Sequence, residues 1–311
     1  MQRRHLLKAA ATAPLAVAAG ATVASASGSE EKTAFVLVHG SWHGAWCWGL
    51  VEPMLQRAGH MTLAIDLPGH GLDARNPVAF TKRPLDPAAF ATEPSALAAI
   101  PTSAYAAAVQ EAAMRARAQG AERVVAVGHS MGGVPVTFAA AGKPELFDDI
   151  IYLAALAPTP GKPAGAYLAL EAQASGSKIG SVIMADPAVV GALRMDPRSE
   201  DAAYLAGAKE ALAADVDDAL LAQVMHMLTP DAPVAMYGDV AEFASGWEKL
   251  RISYIRCTED QTVVPETCEA IVADLNAAGV ETPVALVDLK ASHEAMFGAP
   301  KALAEHLLAQ L

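Results

Sequence analysis

The chain is poor in positive charge. Its 22 lysines and arginines are outnumbered by 34 aspartates and glutamates, which gives a formal net charge of −12 at pH 7. Binding to nucleic acid or to an anionic membrane surface requires clustered basic residues that neutralise phosphates, so neither partner is expected. We therefore expect the ligand to be a neutral or apolar small molecule.

Cysteine is also scarce. Three cysteines, Cys47, Cys257 and Cys268, cannot form a full disulfide framework, and at least one must stay unpaired. Cys257 and Cys268 could meet across a strand-to-helix connection, but free buried thiols are the expected state. The sequence has no CxxC or HExxH motif and no Cys/His cluster with metal-ligand spacing, so we expect neither a metal nor another cofactor.

A long uninterrupted apolar run is missing as well. The apolar stretch near the N-terminus is rich in alanine and glycine and is too short and weak to predict a membrane span. It follows the pair Arg3-Arg4, which resembles the twin-arginine export signal, and it ends at the small-residue triplet Ala24-Ser25-Ala26. We predict that residues 1–26 are a signal peptide, that the protein is exported to the periplasm or the medium, and that the mature form has no membrane anchor.

What is present is an alternation of strand-like and helix-like segments. Six short runs are almost continuously apolar, as expected of strands covered on both faces, and helix-length segments separate them. This order predicts an α/β fold with a mostly parallel sheet flanked by helices. The predicted strands are 33–39, 61–66, 123–129, 149–156, 251–256 and 283–288, and the predicted helices are 45–59, 103–119, 131–142, 265–278 and 298–311.

Two stretches interrupt that alternation. Residues 75–102 contain five prolines, which exclude a long helix, and we predict a mobile flap at the pocket mouth. Residues 158–245 are largely helical in pattern and separate the fourth strand from the fifth. We therefore predict a helical cap at 158–245, inserted into a core formed by residues 33–157 and 246–311.

The segment "VVAVGHSMGGVP" carries the clearest chemical signal. Gly128-His129-Ser130-Met131-Gly132 fits the pattern G-x-S-x-G between an apolar strand and a helix-compatible run, the setting of a nucleophile elbow. Glycines are needed there because a Cβ would collide with neighbouring backbone in such a sharp turn. A plain glycine-rich turn has the same composition, so the rest of the site must decide whether Ser130 is a nucleophile.

A serine nucleophile needs a base, and the base needs an orienting acid. In this fold class the chain order is serine, then acid, then histidine. Of the nine histidines, His293 is the one placed in the loop after the last predicted strand. The fourth strand is followed by "LAPTPG", which has no carboxylate, whereas Glu259 and Asp260 follow the fifth. We predict Asp260 as the acid and keep Glu259 as the alternative, while Asp288 is expected to be structural.

A tetrahedral intermediate also needs donors for its oxyanion. The backbone N–H of Met131, directly after the nucleophile, is one candidate, and the N–H of Ser41, in the loop after the first strand, is the other. Side chains beside these segments and in the predicted cap are candidates for substrate contact. These are His129, Trp42, Met184 and Met225.

Four motifs together resemble the α/β-hydrolase superfamily: "FVLVHGSWHGAWCW", "GHSMGG", "YIRCTEDQTVVPE" and "SHEAMF". More narrowly, the chain is similar to the branch that holds plant methylesterases of the salicylate-binding type and α-hydroxynitrile lyases. The resemblance implies a catalytic triad of Ser130, Asp260 and His293, with Ser41 and Met131 as oxyanion donors. It spans most of residues 33–311.

Members of that branch differ in the reaction they catalyse. The lyases have a lysine after the catalytic histidine and a cysteine after the nucleophile, whereas this chain has Glu294 and Met131. A negative charge at 294 would repel cyanide rather than stabilise it. We therefore expect a cofactor-free serine carboxylesterase acting on small to medium uncharged esters. A carbon–carbon lyase and a non-catalytic ligand-binding receptor on the same fold are the alternatives, and the sequence leaves homodimer formation open.

Overall fold

The computed structural model describes residues 31–311, so the predicted signal peptide at 1–26 lies outside the described residues. Within residues 31–311 the strands are β1 (Thr33–Val38), β2 (Met61–Ile65), β3 (Arg123–His129), β4 (Asp149–Leu153), β5 (Ala192–Arg194), β6 (Asp231–Pro233), β7 (Arg251–Cys257) and β8 (Ala285–Leu289). Six of them form one sheet in the order β2-β1-β3-β4-β7-β8, and every neighbouring pair in it is parallel. The predicted α/β-hydrolase fold, a parallel sheet flanked by helices, is confirmed.

Helices connect the strands. In the described part of the chain the α-helices are α1 (Glu52–Arg57), α2 (Pro87–Thr92), α3 (Thr102–Ala118), α4 (Gly133–Gly142), α5 (Gly165–Leu168), α6 (Glu171–Gly176), α7 (Pro187–Val190), α8 (Ala202–Leu212), α9 (Asp218–Met227), α10 (Pro265–Ala277), α11 (Ala295–Gly298) and α12 (Pro300–Ala309). None of the described helices is long and apolar enough to cross a membrane.

The order of the strands reverses at β1. β1 pairs with β2 on one side and with β3 on the other, so Val38 lies opposite both Ile65 and Gly128. Loops that leave adjacent strands in opposite directions open a crevice at the carboxyl edge of such a sheet. The loops after β1 and β3, which carry Ser41 and Ser130, therefore flank this crevice.

Burial follows the position of each strand in the sheet. All residues of β1 and β4 are buried, whereas β8 lies at the edge and is mostly exposed, including Leu286. The expectation that all six strands are covered on both faces is therefore wrong for β8. An apolar run alone does not distinguish an edge strand from a central one.

Residues 158–245 contain α5 to α9 and a two-stranded antiparallel sheet of β5 and β6. The helical pattern of this segment is clearest in "SEDAAYLAGAKEAL" and "DVDDALLAQVMHML", which contain α8 and α9. The carboxylates of Asp201 and Asp217 cap the first N–H groups of these two helices. The small sheet was not predicted, because strands of three residues are too short to show periodicity.

The proline-rich segment 75–102 is anchored to that small sheet. The buried Arg194 side chain makes two hydrogen bonds to Asp231, at 2.7 and 2.8 Å, and also donates to the backbone carbonyls of Phe90 and Glu93. The segment contributes none of the residues that line the cavity beside Ser130, described below. The structure thus attaches this segment to β5 and β6, whereas the sequence predicted that it would form a mobile flap at the mouth of the pocket.

The three cysteines are buried free thiols, so Cys257 and Cys268 are not joined in the structure. Burial raises the pKa of each thiol, to about 12 for Cys268. The neutral thiol is a poor nucleophile and a poor metal ligand. The expectation of free buried thiols is confirmed.

Candidate active site

Ser130 occupies a strained turn between β3 and α4. The backbone φ angle of Ser130 is 52°, in the left-handed region. Residues other than glycine rarely adopt this conformation, which costs them about 1–2 kcal/mol. The next residues form one 3-10 turn before the α-helix begins. A strained backbone that holds a polar side chain at the carboxyl edge of a sheet is common at functional sites.

The glycines around Ser130 permit backbone to pack on backbone. A Cβ at Gly128 would lie 2.8 Å from the carbonyl oxygen of Gly132, and a Cβ at Gly132 would lie 2.5 Å from the carbonyl oxygen of His39. A Cβ at Gly40 would lie 2.9 Å from the Cβ of Ser130. The loop after β1 therefore passes directly against the serine turn, as the G-x-S-x-G pattern predicts.

This close approach brings the segment that carries Ser41, one of the two predicted oxyanion donors, next to Ser130. Ser41 follows Gly40 and lines the same cavity as Ser130, and Met131 follows the serine with its own side chain buried in the core. The first N–H groups of a helical turn have no intrahelical acceptor, which leaves the N–H of Met131 free of such a bond. The Tyr237 hydroxyl lies near the Ser41 side chain, and burial raises the pKa of this hydroxyl to about 12.

Ser130, His293 and Asp260 form one hydrogen-bonded line. The Ser130 hydroxyl lies 2.9 Å from His293 Nε2, and His293 Nδ1 lies 2.7 Å from Asp260 Oδ2. All three residues are buried. Because the carboxylate only accepts, Nδ1 donates its proton to Asp260, and Nε2 is then the acceptor for the serine hydroxyl.

Asp260 is held by its own loop. Its Oδ1 accepts the backbone N–H groups of Thr262 and Val263, at 2.7 and 3.0 Å, so Oδ2 is directed to His293. The alternative acid, Glu259, is exposed and faces Lys290 at 3.7 Å. Between the two acids the structure brings Asp260 to the site and leaves Glu259 at the surface.

The third acid considered, Asp288, also lies away from His293. It hydrogen-bonds to Arg256 Nε at 2.8 Å, across the β7–β8 pair in which these residues are direct neighbours. This is the structural role expected of it.

Burial and neighbouring charges shift the pKa of His293 in opposite directions. Burial lowers the pKa of the ring, but the carboxylates of Asp260 and Glu294 outweigh it, so the pKa lies above its usual value. The ring of His129 lies 4.8 Å from that of His293. Burial, reinforced by His293, lowers the pKa of His129 well below its usual value, which keeps that ring neutral.

A largely apolar cavity of about 120 Å³ opens beside Ser130 and His293. Its walls come from the loops after β1, β3, β4, β7 and β8 and from the segment 158–245. The apolar side chains are Trp42, Leu156, Leu168, Ile179, Leu193, Leu212 and Val263, and the polar ones are Ser41, His129, Ser130, Gln173, Tyr237, Thr262, His293 and Glu294. The cavity suits a small ligand that is mostly apolar.

Two of the four predicted substrate contacts, His129 and Trp42, line this cavity. Trp42 also joins the loop after β1 to residues 158–245, because its indole N–H donates to the carbonyl of Leu193 at 2.9 Å. The structure does not bring Met184 and Met225 to the cavity. Each was predicted from residue type and segment alone, which do not determine where a side chain points.

Met184 instead packs with Phe80 and Phe90 in a separate apolar cluster. Met225, on α9, lines two other cavities. One is a surface groove beside α8 and α9, and the other is a smaller apolar cavity that Glu294 also lines. Both methionines therefore support the packing of residues 75–102 and 158–245 rather than contacting a ligand at Ser130.

Sequence reasoning missed the residues through which segment 158–245 positions the site. The carboxylate of Asp215 accepts both the backbone N–H and the hydroxyl of Ser292, next to His293. The buried Gln173 donates to the carbonyl of Thr262 at 2.6 Å and accepts from the backbone N–H of Val264 at 3.0 Å. No local pattern marks these residues, since their partners are distant in sequence.

Three metal-ligand side chains lie close together at the site. Donor atoms of His129, His293 and Glu294 are all within 4.8 Å of one another. Both ring nitrogens of His293 already bind Asp260 and Ser130, however, so the group offers a cation at most two free side chains. Its arrangement fits proton transfer better than metal ligation.

Comparison with known proteins agrees with this fold. The family model described as "Alpha/beta hydrolase family" matches residues 35–306, and the chain belongs to that family. Methylesterase 1 of Arabidopsis thaliana is 35% identical over 132 residues, which are 42% of this chain and 43% of that protein. The chain thus matches less than half the length of that relative.

Longer but weaker similarities extend over most of the chain. Methylesterase 9 of Arabidopsis thaliana is 26% identical over 290 residues, covering 88% of this chain and 96% of that protein. A pyrethroid hydrolase from Sphingobium faniae JZ-2 has a similar structure, with a TM-score of 0.67 and 22% identity over 89% of this chain and 96% of that one. At this identity the structural similarity concerns the fold alone.

Proposed function

We propose that this protein is a serine carboxylesterase that hydrolyses small to medium uncharged carboxylic esters through an acyl-enzyme intermediate. The observation that carries the proposal is the buried line from the Ser130 hydroxyl to His293 at 2.9 Å and from His293 to Asp260 at 2.7 Å, at the wall of an apolar cavity. A neutral imidazole held between a hydroxyl and a carboxylate is an arrangement that activates serine.

In the first half of the reaction, Ser130 Oγ attacks the ester carbonyl carbon while His293 Nε2 accepts the hydroxyl proton. The imidazolium that forms is stabilised by Asp260, which stays ionised. The negative charge moves to the carbonyl oxygen, where the N–H groups of Ser41 and Met131 would stabilise it. When the tetrahedral intermediate collapses, His293 returns the proton to the leaving alcohol, and the acyl group remains on Ser130.

In the second half, water takes the place of the alcohol. His293 removes a proton from the water as its oxygen attacks the acyl carbon, and the same donors stabilise the second oxyanion. Collapse breaks the bond to Ser130 Oγ, which regains its proton from His293. The carboxylic acid leaves and the enzyme returns to its starting state without any cofactor.

The size and chemistry of the cavity support the proposed substrate class. A volume of about 120 Å³ with mostly apolar walls admits a short acyl or alcohol group better than a long chain. Relatives named methylesterase point in the same direction, since that name denotes ester cleavage. A non-catalytic receptor would have no need for the Asp260–His293–Ser130 line.

Replacement of the nucleophile tests the proposal. Ser130→Ala is expected to lower kcat for p-nitrophenyl acetate by at least about 10³-fold, because the covalent step is lost. A fluorophosphonate probe should label the wild-type protein at Ser130 and leave the variant unlabelled. Full turnover by Ser130→Ala, in a variant with unchanged thermal unfolding, would contradict the serine mechanism.

A further inference from the structure

A buried carboxylate at the cavity wall has no part in the proposed mechanism. Glu294 is only 4% exposed, and it lines both the cavity of Ser130 and a smaller apolar cavity that shares Leu212 with it. Its Oε2 has no hydrogen-bond partner among the described residues. A buried acceptor left unpaired is costly, so such a group calls for a partner that the protein does not itself supply.

The neighbouring side chain does not satisfy this carboxylate. His43 Nδ1 lies 2.7 Å from the carbonyl oxygen of Ser41 and donates its proton there. Its Nε2 lies 3.4 Å from Glu294 Oε2, an ion-pair distance without hydrogen-bond geometry, and this nitrogen is also unpartnered. Two neighbouring polar atoms of residues that line the smaller cavity therefore each keep an unused hydrogen-bonding position.

The ring of His43 packs against two aromatic side chains. The ring centroids of Trp46 and Phe297 lie 5.3 and 6.1 Å from that of His43, and the hydrogen bond from Nδ1 to the carbonyl of Ser41 fixes the orientation of the ring. Apolar neighbours lower the local dielectric, which strengthens any hydrogen bond that a ligand makes to the carboxylate.

Glu294 is also close to the reacting atoms. It directly follows His293, and its carboxylate lies within 4.8 Å of a ring nitrogen of that residue. A small molecule bonded to Ser130 would therefore reach Glu294 with a substituent near its ester bond. The substituent that fits must donate a hydrogen bond, because a carboxylate only accepts.

We propose that Glu294, backed by His43, is a specificity-determining residue that selects esters carrying a hydroxyl group close to the ester bond. The hydroxyl donates to the free oxygen of Glu294 and occupies the unused space beside His43 Nε2. A hydroxyl is favoured over an ammonium group because moving a charge into this apolar cavity costs more desolvation energy. This inference rests on the proposed esterase function and names its substrate class.

Pairs of esters that differ by a hydroxyl and a methyl group of similar size test the inference. Methyl lactate is compared with methyl isobutyrate for a hydroxyl on the acyl side, and 2-hydroxyethyl acetate with propyl acetate for one on the alcohol side. We expect wild-type kcat/KM to favour the hydroxy ester by about tenfold or more in at least one pair. Alanine methyl ester tests the ammonium alternative and is expected to be a poorer substrate than methyl lactate.

Two variants of Glu294 assign the preference to its carboxylate. The ratio of kcat/KM for the hydroxy ester to kcat/KM for its methyl counterpart should fall to about one in Glu294→Leu. In Glu294→Gln this ratio should take an intermediate value. The ratio cancels any general effect on His293, which acts on both esters alike. The matched control is Glu259→Gln, which removes an exposed carboxylate from a neighbouring loop and should leave the ratio unchanged.

The outcomes separate this inference from the function on which it rests. If the wild type is labelled by a fluorophosphonate and hydrolyses both members of each pair equally, the specificity role is overturned while the esterase stands. A preference that persists in Glu294→Leu also overturns it. If the wild type is neither labelled nor able to hydrolyse any ester, the proposed function fails first and this inference fails with it.

Discussion

At His293, two opposing effects set the proton affinity of a single ring. Burial favours the neutral form, whereas the negative charges of Asp260 and Glu294 favour the charged form and prevail, so the pKa lies above 6.5. The ring can accept the Ser130 proton only when it is neutral. Under the proposed mechanism we therefore expect activity to fall as the pH decreases through the raised pKa of His293, which sets the acid limb of the pH profile.

The balance between burial and charge at His293 predicts how removing the charge of Glu294 changes the pH profile. Glu294→Gln should shift the acid limb of kcat/KM to lower pH, because one of the carboxylates that raises the pKa of His293 is gone. The other groups near the ring do not compensate, since His129 is neutral and Asp260 is unchanged. The profile is measured with methyl isobutyrate between pH 5 and 9.

Glu259→Gln is the control for that shift. It removes a carboxylate of the same charge from the exposed loop beside Lys290, where solvent screens it, so its acid limb should coincide with the wild type. If the acid limb of kcat/KM does not move in Glu294→Gln, or moves equally in both variants, Glu294 does not raise the pKa of His293.

At the scale of elements, the segments outside the sheet are joined to one another by buried polar contacts. The pair of Arg194 and Asp231 has almost no exposed side-chain surface, and Arg194 also bonds backbone carbonyls of the segment 75–102. A buried charge without its partner is strongly destabilising. The pair thus secures the proline-rich segment to β5 and β6.

We expect Arg194→Leu to lower the free energy of unfolding by about 3–5 kcal/mol, because it leaves Asp231 buried and unpaired. The measurement is urea denaturation followed by tryptophan fluorescence. The matched control is Arg75→Leu, which breaks an exposed pair with Asp73 at 3.4 Å and should cost less than about 1 kcal/mol. Equal losses in the two variants would mean that the buried pair does not anchor the segment.

At the scale of the whole molecule, the interior keeps its thiols away from solvent. Cys47, Cys257 and Cys268 are buried and their pKa values are raised, so thiolate is scarce at neutral pH. The native protein should react with none of its thiols over minutes in Ellman's reagent, and the unfolded protein should react with three per chain. A single reactive thiol after unfolding would reveal a disulfide that contradicts the structure.

Unreactive thiols are compatible with the export that we propose from the sequence of residues 1–26. In an oxidising compartment an accessible thiol would be modified, whereas these three are shielded. Expression of the full chain followed by cell fractionation and N-terminal sequencing tests the proposal. We expect the protein in the periplasm or medium with its N-terminus close to residue 27, and a variant with Arg3 and Arg4 changed to lysine should remain in the cytoplasm.

The sequence alone predicted the parts of this protein that depend on short-range patterns. The six sheet strands appear as apolar runs, and all six form within a few residues of the predicted positions. Burial on both faces explains this composition for the central strands but not for the exposed edge strand β8. Gly128 and Gly132 flank Ser130 because the turn leaves no room for a Cβ at either position. The G-x-S-x-G motif therefore predicts a sharp turn at Ser130. Chain order then indicated His293 as the base and favoured Asp260 as the acid with Glu259 as the alternative, and the structure brings His293 and Asp260 to Ser130.

The tertiary structure decided what depends on contacts between distant residues. It placed Met184 and Met225 away from the cavity, anchored residues 75–102 to β5 and β6, and linked Asp215 to Ser292 across 77 positions in the chain. It also put Glu294 and His43 side by side at the wall of the smaller cavity, although they are 251 positions apart in the chain. No local pattern encodes such pairs, because a side chain's partner is set by the packing of whole elements and not by its neighbours in sequence.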